Sequence, residues 1–260
     1  AGHAGTLDPM ATGVLVVCVG RATRLISYVQ QQPKEYRARF RLGERSDTDD
    51  ATGTIERVAV DRSVTRPEIE ALLPRFVGTI EQVPPQFSAV HVGGRRAYDL
   101  ARRGQTLDLQ PRSVEVYHIE LRRYEWPHLE LDIECGSGTY IRAIGRDLGD
   151  ALGCGAVMTN LIRTRIGPFS IDEALDLDRL EKDPLEPLLL PAAKAVEHLP
   201  RYVCESADVA HLRAGRAIRP RQSFAADSTP VVAVITPNGE LACIAHPQGP
   251  TLAPKPVFLR

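Results

Sequence analysis

No stretch of this sequence approaches the roughly 18 to 20 consecutive apolar residues that a helix needs to cross a bilayer. The first residues also lack the charged-then-apolar pattern of a secretory signal. Both absences argue against a helical membrane protein and make a cytoplasmic location the expectation. Cysteine is sparse and poorly placed for cross-linking: Cys18, Cys135, Cys154, Cys204 and Cys243 are odd in number, far apart, and form no C-x-x-C pair. Neither a disulfide framework nor a zinc site is indicated, so reduced, mostly buried thiols are expected. An excess of one charge is missing too, the formal net charge being −1. That average does not point to a nucleic-acid partner, but phosphate binding depends on local basic density and not on the average. Internal repeats and low-complexity tracts are likewise absent.

What is present is an ordinary globular composition of 260 residues, 43% hydrophobic and 25% charged, enough for one sizeable core and a smaller second one. Charge is segregated along the chain. Between His91 and Arg112 the residues Arg95, Arg96, Arg102, Arg103 and Arg112 are opposed only by Asp99 and Asp108, whereas residues 172–186 are dominated by carboxylates. The chain opens at Ala1 directly into a glycine-rich turn, so a further strand upstream is expected.

After that turn, residues 14–19 read as a short buried strand, 22–32 as a helix, 35–42 as a strand and 43–53 as a polar loop. Thr65, with Glu68 three residues on and Pro67 in the first turn, carries a capping-box signature, predicting a helix to about Phe76 with Ile69, Leu72, Leu73 and Phe76 on one face. A long basic segment spans residues 84–111, with a short helical pattern near 98–103; an insertion of that length is usually functional. Residues 113–126 and 129–135 read as paired strands and 139–152 as a helix opened by Gly136-Ser-Gly138. A further strand lies within 157–169 and a further helix at 171–180. Hairpin-like pairs interleaved with helices predict an α+β fold with a mixed sheet, not a regular βαβ array. A proline-rich change of character over 183–200 marks a boundary. Placed at residue 195, it separates a domain of residues 1–195 from a small β-rich module of 196–260, whose strands 231–236 and 241–245 are joined by Pro237-Asn-Gly239.

The sharpest local signal is Gly2-His-Ala-Gly-Thr-Leu-Asp-Pro-Met-Ala-Thr-Gly13. Its glycines permit tight turns and Pro9 forces Asp8 away from helical dihedrals, so a carboxylate is presented from a constrained loop and can serve as a nucleophile. On the residues alone, an aspartate that merely organises a turn is the competing reading. Asp47, Asp49 and Asp50 do not fit the spacing of a calcium loop. A solvated loop is expected there, with Asp50 supporting the active site.

The Asp8 segment resembles the catalytic motif of TruB-type pseudouridine synthases, and the match continues in order along most of the chain. Lys34-Glu-Tyr36 resembles the motif with the active-site tyrosine, and Arg45-Ser-Asp-Thr-Asp-Asp50 the acidic loop that follows it. Pro84-Pro-Gln-Phe-Ser-Ala89 with Tyr98 and Ala101-Arg102 is similar to the RNA-gripping thumb insertion. Gly138-Thr-Tyr-Ile-Arg142 with Asp147-Leu-Gly149 resembles the motif bearing the nucleophile's arginine partner, and Leu161-Ile-Arg-Thr-Arg165 the wall of the base pocket. Several spaced motifs in order make chance similarity improbable.

The resemblance implies the pseudouridine-synthase fold, a mixed, largely antiparallel sheet flanked by helices with the active cleft across its middle, plus a C-terminal module similar to an RNA-binding PUA domain. It implies isomerisation of the T-loop uridine of tRNA, at position 55, with Asp8 as nucleophile, Arg142 as its partner and Tyr36 in the site. His3 would intrude into the T-loop stack, and Arg102 and Arg103 would grip the T-arm backbone. Tyr140 orders the pocket or stacks, with a plain core tyrosine as the alternative; Leu161 is pocket wall or ordinary core. His91 departs from the lysine often found at that point of the thumb.

The chemistry fits these residues. The glycosidic bond must break, the base turn, and a carbon–carbon bond form at C5, for which neither redox cofactor nor metal is needed. A carboxylate nucleophile suffices if a guanidinium such as Arg142 keeps it charged and oriented. Tyr36 offers a flat face for the uracil and a hydroxyl for proton transfer. Attack at ribose C1′ and at base C6 both remain open. The target lies in a folded loop, so it must be extruded. The expected partner is tRNA alone, bound by a monomer with no obligatory protein partner. Rival readings are a non-catalytic RNA-binding protein on the same scaffold, a different aspartate-nucleophile hydrolase, and a guide-RNA-dependent relative.

Overall fold

The computed structural model describes residues 1–88, 91–92, 95–96, 107–222, 224 and 231–259. Two compact units are formed, and neither is contiguous: one comprises Leu7–Val14 and Gln31–Ile171, the other Ala1–Thr6, Leu15–Gln30 and Asp172–Arg260.

The first unit is built on a sheet of seven strands among the described residues, running Phe169–Ser170, Ala156–Ile166, Lys34–Leu42, His128–Cys135, Arg112–Glu125 and Gly78–Gln82, with Thr12–Gly13 added beside Ala156–Ile166. All pairings are antiparallel except that of Thr12–Gly13, which is parallel. This is the mixed, largely antiparallel α+β sheet expected from the sequence. The central strand shows the cause: Ala38, Phe40 and Leu42 are buried on one face while Arg37, Arg39 and Arg41 alternate onto the other. The buried face joins Leu131, Ile133, Ile144 and Leu148 in the main core. Ile144 and Leu148 come from the helix Ile141–Ala151, which presses close because Gly145 has no Cβ; one there would stand 2.2 Å from the Phe40 ring.

The predicted helix at 65–76 forms as Arg66–Leu72 followed by a tight turn Leu73–Phe76, and Thr65 and Glu68 make the reciprocal capping box. Three expectations need correction and one strand went unforeseen. Residues 14–19 yield only the two-residue strand Val17–Cys18, paired with Gly2–His3, and Leu15 and Val17 are exposed; the apolar run is divided because the chain passes from one unit to the other at Val14. The polar stretch 43–53 contains a strand, Glu44–Ser46, which forms a hairpin with Ile55–Arg57, hidden because Ile55 is the one apolar residue in the two strands and is exposed. The strand Gly78–Gln82 was not anticipated. The helix expected at 171–180 is split, since the Asp176 side chain accepts the Arg179 N–H at 3.0 Å and starts a new helix, Leu177–Lys182.

In the second unit, Arg201–Val203 lies parallel to Val232–Ile235, which continues antiparallel to Leu241–Gln248 and then Thr251–Val257. Tyr202, Leu212, Ile218, Val234 and Leu252 pack between this sheet and the helix Ser206–Arg213. All five cysteines are free and buried, as expected. Among the described residues no helix is long and apolar enough to cross a membrane. The helical pattern near residues 98–103 lies outside the described residues.

Candidate active site

The Asp8 loop, Leu7–Val14, is pinned at its exit. Thr12 and Gly13 pair with Ile162 and Arg163, and the Val14 N–H donates to the Arg163 carbonyl at 2.8 Å. Gly13 has φ 103°, and a Cβ there would stand 2.2 Å from that carbonyl oxygen, so only glycine fits. Within the loop the Ala11 N–H closes onto the Asp8 carbonyl at 2.8 Å. The Asp8 side chain is held out of this turn, about one-third exposed.

Its partner comes from the first turn of the helix Ile141–Ala151. Arg142 is 5% exposed, donates from Nη2 to Asp8 Oδ1 at 3.1 Å, and holds Nε 3.0 Å from Oδ2 without the alignment of a hydrogen bond. The same guanidinium donates to the carbonyls of Thr48 at 2.9 Å and Phe87 at 3.1 Å, and lies 3.4 Å from Asp50 Oδ2. One buried cation is thus fixed by two carboxylates and two carbonyls, the multiply satisfied state a buried guanidinium requires.

Asp50 is itself buried. Its Oδ1 accepts from Thr48 Oγ1 at 2.8 Å and from the Thr52 N–H at 2.9 Å. The expected solvated loop holds only for Asp47, which is exposed. Asp49 turns inward with φ 61° and pairs with Arg146 at 2.8 Å. Burial pushes the Asp49 carboxyl above its usual pKa against the pull of Arg146. The loop is inward because Met158 on the neighbouring strand donates to the Asp49 carbonyl and accepts from Ala51, which turns the carboxylates toward the helix.

Tyr36 stands in register between Ile133 and Arg163 on the central strand. Burial pushes its phenol up to about 12; Arg163 opposes through its charge and a hydrogen bond, and Asp8 adds to the rise. The hydroxyl is therefore protonated at neutral pH. Tyr140 precedes the Arg142 helix and is clasped by buried Gln82, which accepts the Tyr140 N–H at 2.8 Å and donates to its carbonyl at 3.1 Å. The Tyr140 side chain packs with Leu107 and Leu109, and burial raises its phenol pKa. Leu161 is 4% exposed, opposite Ala38, within the main core.

Asp8, Asp50 and Arg142 are thus brought into direct contact, and Tyr36 and Tyr140 feel the charge of Asp8. His3 belongs to the other unit, exposed on the strand Gly2–His3. Arg102, Arg103 and Tyr98 lie outside the described residues. Where the 84–111 segment leaves and rejoins the sheet, Gln86 donates to the Leu107 carbonyl and accepts its N–H, both at 2.9 Å. Sequence reasoning gave no role to Gln82, Gln86, Arg146 or Arg163. For Arg163 a signal existed: it falls two residues after Leu161, at an inward position of a strand. Among the described residues no group of three or more His, Cys, Asp and Glu could hold a metal ion.

The model of the TruB family pseudouridylate synthase N-terminal domain matches residues 1–141, and that of the tRNA pseudouridylate synthase B C-terminal domain matches residues 142–197. This chain belongs to the TruB family. It is accordingly a pseudouridine synthase, an isomerase, and Asp8 falls in the first matched region while Arg142 opens the second. Two relatives, each named tRNA pseudouridine synthase B, show the extent of the likeness. That of Syntrophomonas wolfei is 41% identical over 251 residues, covering 94% of this chain and 83% of its own length. That of Nitrobacter winogradskyi is 41% identical over 271 residues, covering 99% and 74%. Among solved structures, a chain of a Cbf5–Nop10–Gar1 complex superposes with a TM-score of 0.73 at 27% identity, over 99% of this chain and 76% of that one.

Proposed function

We propose that this TruB-family enzyme converts the T-loop uridine of tRNA, at position 55, to pseudouridine with Asp8 as the nucleophile. The observation that carries this reading is the contact of Asp8, on a loop pinned at Gly13, with the buried guanidinium of Arg142. A tRNA substrate is supported by the names of the relatives, tRNA pseudouridine synthase B.

In this reading Arg142 pairs with the Asp8 carboxylate and aims it, while Asp50 braces the same guanidinium. Asp8 either displaces the uracil from C1′ or adds to C6, after which the C1′–N1 bond breaks; the base turns, C5 bonds to C1′, the bond to Asp8 is released to restore its carboxylate, and the C5 proton passes to a base while N1 takes one up. Tyr36 presents its ring to the uracil and, as a protonated phenol, donates a hydrogen bond. Tyr140 and Leu161 help bound the base pocket. The uridine is flipped out of the loop, His3 fills the T-loop stack, and Arg102 and Arg103 hold the T-arm phosphates. Residues 1–195 carry the chemistry, and 196–260, as a PUA-like module, add RNA affinity. The enzyme works in the cytoplasm as a monomer on tRNA, without an obligatory protein partner.

Tritium release from C5-labelled uridine in an unmodified tRNA transcript tests this directly. Wild-type enzyme should release label from position 55 alone. Asp8→Asn should fold and bind the transcript but turn over more slowly by far more than the roughly 10²- to 10⁴-fold typical of losing a general base. Near-normal release by folded Asp8→Asn would sink the nucleophile assignment; undiminished release from a transcript with cytidine at position 55 would sink the target.

A further inference from the structure

Among the described residues Arg163 is the largest of the fully buried side chains, 2% exposed, in the strand Ala156–Ile166. Burying a guanidinium is costly unless its donors are engaged, and an aliphatic residue like its neighbours Leu161 and Ile166 would fill the space without that cost. Its contacts show what it does instead. Nε donates to the Val14 carbonyl at 2.8 Å, while the Arg163 carbonyl accepts the Val14 N–H at 2.8 Å. The Asp8 loop is therefore gripped at its exit through both backbone polar groups of Val14. On the other flank Arg163 lies directly opposite Tyr36 in the strand register, and its guanidinium hydrogen-bonds the Tyr36 hydroxyl. Lys34, on the same face of the central strand, is also buried and donates to the Gln32 carbonyl at 2.9 Å. The Tyr36 side of the cleft is thus underlain by two cations.

We infer that Arg163 is a positioning residue for pseudouridine formation, holding the Tyr36 hydroxyl and the exit of the Asp8 loop in a fixed relation from beneath the cleft. This rests on the reading of Asp8 and Tyr36 given above. Because the guanidinium donates to the phenol oxygen, the Tyr36 O–H is directed away from Arg163. The adjacent positive charge also favours any negative charge that develops on that oxygen when the proton is shared. The opposition of Arg163 to the burial-driven rise in the Tyr36 pKa agrees with this placement.

A double-mutant cycle on the full chain separates positioning from mere space-filling. Arg163→Met should lower single-turnover pseudouridylation about 10²-fold, with KM for the tRNA transcript within about threefold of wild type and an unchanged fold by circular dichroism. Arg163→Lys should recover about tenfold of that loss, since it returns charge and one donor but not the fork. In a Tyr36→Phe background, Arg163→Met should cost no more than about threefold further. A full, multiplicative loss there would show Arg163 acting independently of the Tyr36 hydroxyl and would overturn the assignment. Should Arg163→Met not fold, Arg163→Lys decides: a raised KM with unchanged kcat would equally overturn it. Tyr36→Phe at wild-type speed would instead remove the reading of the site on which the inference stands, a result distinguishable from failure of Arg163 alone.

Discussion

Arginine–carboxylate pairs occur in two settings in the first unit. Around Arg142 they are enclosed, with Arg142 and Asp50 each 5% exposed. On the outer face of the central strands, Arg39 meets Glu130 at 2.7 Å and Arg122 meets Glu130 and Asp132 at 3.1 and 3.0 Å, but Arg39 is 61% and Arg122 47% exposed. The exposed Arg39–Glu130 contact is shorter than the 3.0 Å approach of Arg142 to Asp8. Length is therefore no measure of worth; access of water is. Outside, water and salt screen the pair and each partner is solvated when the other leaves. Inside, removing Arg142 strands Asp50 without solvent, although Asp8, about one-third exposed, still meets water.

That contrast is open to direct challenge. Arg142→Met should give the largest effect: about 3–5 kcal/mol of stability lost by denaturant titration, because Asp50 is left buried and uncompensated, together with turnover reduced at least about 10³-fold. Arg142→Lys should fall between. A variant as stable as wild type would erase the distinction between the two settings. Next, Tyr36→Phe should lower turnover about 10²-fold by an equal factor from about pH 6 to pH 10. With the phenol pushed up to about 12, it stays protonated across that window; a ratio that bends with a midpoint below about pH 10 would mean Tyr36 titrates like an exposed tyrosine. Gln82→Ala, which leaves both backbone groups of Tyr140 without their side-chain partner, should cost about 1–3 kcal/mol in thermal or chemical melts. Last, Arg39→Ala should change stability by less than about 1 kcal/mol, since Glu130 keeps Arg122. A larger loss that vanished at high salt would show the outer ladder acting as a coupled network.

Much of the fold was legible because single-element rules hold here. The strand Lys34–Leu42 alternates, Thr65 and Glu68 cap a helix, and residues 112–135 carry the pattern of a long hairpin. The misses have local causes. The hairpin of Glu44–Ser46 with Ile55–Arg57 has no apolar face to betray it. Gly78–Gln82 earns its place as a strand only by pairing with residues 112–116. Asp49 read as solvated, and Asp50 had a supporting role but no partner, because nothing in their own segment indicates that Arg146 and Arg142, nearly a hundred residues on, will meet them.

The amino-acid sequence by itself determined the strands and helices that carry an apolar periodicity or a cap, that Asp8 sits on a proline-constrained loop between glycines, and, by the order of its motifs, the family. Those are properties of neighbours along the chain, fixed by sterics and by periodicity. Only the tertiary structure decided that Arg142 would be shared between Asp8 and Asp50, that Gln82 would brace the start of its helix, and that Arg163 would lie beside Tyr36. Each of these joins residues far apart in sequence. Each persists because a polar group removed from water must find its partner wherever the fold brings one within reach.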